Sequence, residues 1–60
     1  MQYKILSAEE LYESKARDKL TTKVEEALNE GWKLQGGVSA TKSTLGHNWY
    51  ILFQAMIKED

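Results

Sequence analysis

His47 is the one histidine in this chain of 60 residues, and there is no cysteine for it to activate. The serines at positions 7, 14, 39 and 43 stand in no Gly-x-Ser-x-Gly elbow, so residue type and spacing assemble no Ser–His or Cys–His nucleophile. A solvated turn histidine beside Gly46 is the plainer reading. A structural zinc centre is equally hard to build from one imidazole and carboxylates alone. The acidic pairs Glu9-Glu10 and Glu25-Glu26 suggest general acid–base work only until they are placed on a helix, where adjacent side chains diverge. Capping and solvation explain them better. The chain is therefore expected to be no enzyme, with neither metal nor cofactor.

Gly36-Gly37 invites a phosphate-loop reading, yet it lies inside a strand pattern rather than before a helix, and no Gly-x-Gly-x-x-Gly or Lys-Ser/Thr partner accompanies it. A bulge or a close backbone approach suits it better. Trp32, Trp49, Tyr50 and Phe53 have the faces to stack on bases. However, eight basic residues interspersed with nine acidic ones give a formal charge of −1 and no basic groove, which argues against nucleic acid as a partner. The first residues lack the charged start and apolar stretch of a signal peptide. The run Trp49 to Phe53 is too short to span a bilayer. The cytoplasm is the expected compartment, with no membrane partner, and the absence of cysteine suits it.

The elements that must position these residues follow from periodicity. Tyr3 and Ile5 alternate with Gln2 and Lys4, predicting a short strand from Met1 to Leu6. Ser7-Ala8-Glu9-Glu10 fits the capping box, which would start a helix near Ala8. Tyr12, Ala16, Leu20, Val24, Ala27 and Leu28 form one helical stripe. The spacing predicts helix over 18–30, and residues 8–16 either extend it or form a short turn before a start near Asp18. Gly31 is placed to stop the helix in a left-handed conformation, with Trp32 folding back on Ala27 or Leu28.

After Trp32, Leu34, Gly36, Val38 and Ala40 alternate with Lys33, Gln35, Gly37, Ser39 and Thr41 in a second strand. A turn over Lys42 to Asn48 leads to a third, Trp49 to Ile57, whose faces are both mostly apolar, as expected of a central strand. The fold class is thus α+β: a single β-α-β-β domain over 1–60, a three-stranded, mostly antiparallel sheet with strand 3 central, and one helix on one face. The uncovered face is expected to present Gln2, Lys4, Gln35, Gly37, Ser39, Tyr50, Leu52, Gln54 and Met56.

Tyr3-Lys4-Ile5-Leu6-Ser7, Glu30-Gly31-Trp32-Lys33-Leu34-Gln35-Gly36-Gly37 and Phe53-Gln54-Ala55-Met56-Ile57 together resemble domain-of-unknown-function family 1737, small proteins of bacteria and their phages. The likeness covers most of the chain, and the stretch from Ala8 to Asp18 is longer than that family's usual strand-to-helix link. The resemblance implies a small β-α-β-β domain and no reaction.

A folded chain of this length hides only roughly 60% of its unfolded surface, so self-association is expected to supplement its core. One expectation is a homo-oligomeric interaction module that buries Tyr50, Leu52 and Met56 between copies and presents its helices to another protein. On that placement Leu52→Glu breaks the oligomer. The alternative is a nucleotide or metabolite binder or sequestering protein, with sites at subunit junctions lined by Gln35, Ser39, His47, Tyr50 and Gln54.

Overall fold

The computed structural model describes residues 1–43 and 49–59. Its elements are strand β1 (Gln2–Glu10), helix α1 (Glu13–Asn29), strand β2 (Lys33–Ser43) and strand β3 (Trp49–Lys58). The sheet order is β1-β3-β2, both pairings are antiparallel, and α1 packs on one face. The expected fold class and the central place of the third strand are both found.

The start of the helix differs from expectation. Ser7 to Glu10 continue β1 in register with Phe53 to Tyr50 of β3 and form no capping box. Ala8 is buried and Leu6 half-buried, so the strand goes on supplying inward side chains to Ala8. A ladder of backbone bonds with buried alternate side chains outweighs the local capping preference of Ser7. The chain then turns at Leu11-Tyr12 and α1 begins at Glu13. Tyr12 occupies the N-cap without a side-chain cap bond, while Glu13 places a carboxylate at the positive end of the helix. Thr21 and Thr22 do not delay the helix, because their hydroxyls donate to the Arg17 and Asp18 carbonyls one turn back, at 2.8 and 3.2 Å.

The helix stop is a Schellman closure. Gly31 has φ +95°, its N–H donates to the Leu28 carbonyl at 3.1 Å, and the Trp32 N–H donates to the Ala27 carbonyl at 3.0 Å. The indole of Trp32 then lies beneath the ammonium of Lys4, 4.2 Å from the ring centroid, with Lys58 at 5.8 Å. This cation–π stack ties the start of β1 to the helix exit.

Gly36-Gly37 falls at a bulge. Gln35 pairs with Ala55 but Ser39 pairs with Phe53, so β2 advances four residues while β3 advances two. Gly36 takes φ +76°, and the Gln54 amide nitrogen donates to its carbonyl at 3.1 Å and to the Ala55 carbonyl at 2.9 Å.

The face that the helix covers is also corrected. Leu52, Gln54 and Met56 of β3 are buried, and Leu52 joins Ala8, Ala16 and Leu20 in one cluster with Leu6, Val24 and Tyr50 around it. Among the described residues, three of the six buried apolar ones, Ala8, Ala16 and Ala27, are alanines, so helix and sheet approach closely over a thin core. The register puts Tyr3, Ile5, Ile51, Phe53, Ala55, Ile57, Gln35 and Ser39 together on the helix-free face. Reading β1 as ending at Leu6 hid the inward pair Leu6 and Ala8, and left Tyr3 and Ile5 to set the wrong inward parity. The two apolar faces of β3 could not correct it.

Two glycine substitutions separate conformation from contact. Gly31→Ala would meet only the Lys58 Cε at 3.5 Å, an ordinary contact, so its expected cost of about 1 kcal/mol comes from forcing a Cβ into the left-handed region. Gly37 has no positive φ and open space around it, so Gly37→Ala is expected to stay within about 0.5 kcal/mol of the parent. Urea midpoints of the two variants check the difference.

Candidate functional site

A helix is about 10 Å across and neighbouring strands lie about 4.8 Å apart, so one helix shields about two strands. α1 lies mainly over β1 and β3. The consequence is visible along β2, where every residue from Lys33 to Lys42 is exposed, including Leu34 and Val38. Between α1 and β2 runs an open groove of about 490 Å³. Leu34, Val38, Ala40 and Leu52 form its floor, Leu20 and Val24 its helix wall, and Glu13, Arg17 and Glu25 its charged border.

Gln54 is the buried polar side chain of this groove, 3% exposed. One of its amide hydrogen bonds reaches the Gly36 carbonyl in the bulge, and the other goes to the Ala55 carbonyl of its own strand. Its position in the middle of β3, opposite the bulge, is dictated by the pairing of Leu6 with Gln54 on one side and the register slip on the other. A buried amide donating to a bulge carbonyl answers the cost of leaving either group unpaired.

The residues expected to bind a ligand are not gathered into one place. Gln35 and Ser39 lie on the helix-free face, while Tyr50 and Gln54 lie on the helix side, so the sheet itself separates the two pairs. His47 lies outside the described residues. Tyr50 is half-buried against the core cluster, with the Lys42 ammonium 5.5 Å from its ring centroid.

The expected interface residues are corrected in the same way. Met56 and Leu52 are buried within the chain and half-buried Tyr50 packs on the cluster that holds Leu52, so these side chains are engaged within the chain. The apolar surfaces open to a partner are the helix-free face, with Tyr3 and Ile5 about 60% exposed, and the groove floor at Leu34 and Val38. The alternation of Leu34, Val38 and Ala40 carried the signal for the groove. What was missing was the observation that one helix leaves the edge strand β2 uncovered.

Among the described residues, no group of three His, Asp or Glu side chains stands close enough to hold a metal ion. No helix among them is long and apolar enough to cross a membrane. The described surface is that of a small α+β sheet domain with two apolar exposures, the helix-free face and the groove, one on each side of the sheet. Residues 2–59 match the family model described as Domain of unknown function (DUF1737), and the chain belongs to that family. No curated protein and no solved structure matches it.

Gln54→Leu keeps the volume roughly constant and removes both amide bonds. It is expected to cost about 1–2 kcal/mol and to speed amide hydrogen exchange at Gly36 to Val38, the segment that the bond to the Gly36 carbonyl holds. Leu52→Glu is expected to unfold the chain rather than release an intact monomer, because it places a carboxylate within the thin core. Far-UV circular dichroism distinguishes the two outcomes.

Proposed function

We propose that this protein is a non-enzymatic, self-associating interaction module that joins copies through the helix-free face of its sheet. The observation that supports this reading is the balance of its apolar side chains. Among the described residues, Leu20, Leu52 and Met56 are the large ones in the buried core, while Met1, Tyr3, Ile5, Leu11, Tyr12, Leu28, Leu34 and Val38 are exposed. The chain exposes 4390 Å², where a compact monomer of this mass exposes roughly 4,000 Å². Its radius of gyration is 12.4 Å against roughly 10.4 Å for a compact chain of this length. On the helix-free face Tyr3 and Ile5 adjoin half-buried Ile51, Phe53, Ala55 and Ile57, a contiguous apolar patch that a second sheet can cover. Such an assembly turns its helices outward, where their polar faces can meet another protein.

A second reading is supported by the groove, whose volume lies in the range of small-molecule sites and whose apolar lining includes one fixed amide. An amphipathic nucleotide or metabolite then lies between α1 and β2. Binding of the fluorescent probe anilinonaphthalene sulfonate, abolished by Val38→Glu with assembly mass unchanged, would favour it over the sheet-face reading.

Ile5→Glu tests the first reading, since Ile5 is exposed and lies on the helix-free face, opposite Ala55. Sedimentation equilibrium is expected to show the parent as an oligomer and the variant as a folded species of lower mass. The parent's melting temperature should rise more steeply with protein concentration than the variant's. An unchanged mass for the variant would remove the sheet face from the assembly.

A further inference from the structure

The two outer edges of the sheet are treated differently. β1 is paired on one side only, and on that strand the Lys23 ammonium donates to the Ser7 carbonyl at 2.6 Å while Lys19 pairs with Glu10 at 3.1 Å. Two lysines of α1 thus lie along the rim of β1, and lysine at a sheet edge is a known way to stop another strand from adding. β2 is exposed along Lys33 to Lys42, and the structure places no helix side chain on its backbone among the described hydrogen bonds.

We infer that the edge of β2 is a pairing edge for the β2 strand of a second copy, and that Lys19 and Lys23 confine the assembly to that edge. The inference rests on the proposal that the protein self-associates and assigns that association a second contact. Charge argues for the occupant. The helix exit leads directly into β2, so Glu25, near the end of α1, borders the groove at its Leu34 end, while Glu13 shares the other end with Thr41 and Lys42. A second β2 laid antiparallel along the first brings its Lys42 to the Leu34 end, beside Glu25. The two-fold axis repeats the pair with the first copy's Lys42 and the second copy's Glu25.

Pairing then falls in two segments on either side of the bulge, Lys33 to Gln35 against Thr41 to Ser43 of the other copy and the reverse. The axis then falls at Val38, and Gly36 and Gly37, with open space around them, face Ala40 and Ser39 of the other copy. Antiparallel β2–β2 pairing is the same patch on both copies and closes at two, whereas β1–β2 pairing is head-to-tail and propagates. The guard on β1 therefore sets the difference between a closed pair and a growing sheet.

Sedimentation equilibrium of the whole chain and its variants tests this. Lys42→Glu is expected to raise the dimer dissociation constant about tenfold, by replacing two symmetric attractions with repulsions, and Glu25→Lys in the same chain to restore it to within about threefold of the parent. Lys23→Met is expected to produce species larger than the parent's that grow with concentration. An associating parent whose constant ignores Lys42→Glu but responds to Ile5→Glu overturns the β2 pairing and leaves the sheet-face reading intact. Loss of association in Lys42→Glu without rescue by Glu25→Lys overturns the assigned occupant geometry, and an unaltered Lys23→Met assembly overturns the guard. A parent that is monomeric at every concentration overturns both this inference and the proposal beneath it. Circular dichroism keeps unfolding distinct from dissociation in each case.

Discussion

A single helix over a three-stranded sheet is a constraint with consequences on both sides of that sheet. About 10 Å of helix can shield about two strands, so one face is left bare and the third strand is left half-bare on the other. α1 resolves this by lying on β1 and β3, drawn there by Leu6, Ala8 and Leu52, and its buried stripe is small enough, at Ala16 and Ala27, to sit close. The closeness concentrates a small amount of burial and shifts the remaining apolar area outward. The groove along β2 and the patch around Tyr3, Ile5 and Phe53 are both products of that placement.

Polar contacts do a different job here from the apolar ones. Gln54 secures the bulge from beneath, Lys4 and Trp32 secure the helix exit, and Lys19 and Lys23 secure the rim of β1. The exposed Lys19–Glu10 ion pair among them contributes little to stability by itself. Their value lies in selection among alternatives: which strand edge is free, where β2 slips its register, and how the chain enters it after the helix. Buried area alone leaves those choices open, since both faces of β3 are apolar.

Much of the architecture was legible from the residues. Gly31 and Trp32 announced a helix stop, because a left-handed closure is a local event that needs glycine and an apolar residue after it. The central place of β3 followed from its two apolar faces, and the Gly36-Gly37 bulge from glycines inside an alternating strand. The functional surfaces were less legible. Ser7 to Glu10 satisfy a capping box and a strand ladder equally well as a string of letters, and the choice between them flips which side of β1 faces the helix. That single ambiguity carried Tyr50, Leu52 and Met56 onto the wrong surface and paired Gln35 and Ser39 with residues that lie across the sheet from them.

By itself, the sequence determined the order of elements, the helix stop, the bulge and the lack of a nucleophile or metal constellation of familiar spacing, because each rests on local stereochemistry or on residue types alone. Only the tertiary structure decided which face of the sheet is covered, that β2 is left exposed beside a groove, and that lysines of α1 reach the rim of β1. Those are properties of register and of the finite width of a helix. Parity in a strand changes with a shift of one residue, and contacts between Lys23 and Ser7, sixteen positions apart, exist only once the chain has closed on itself.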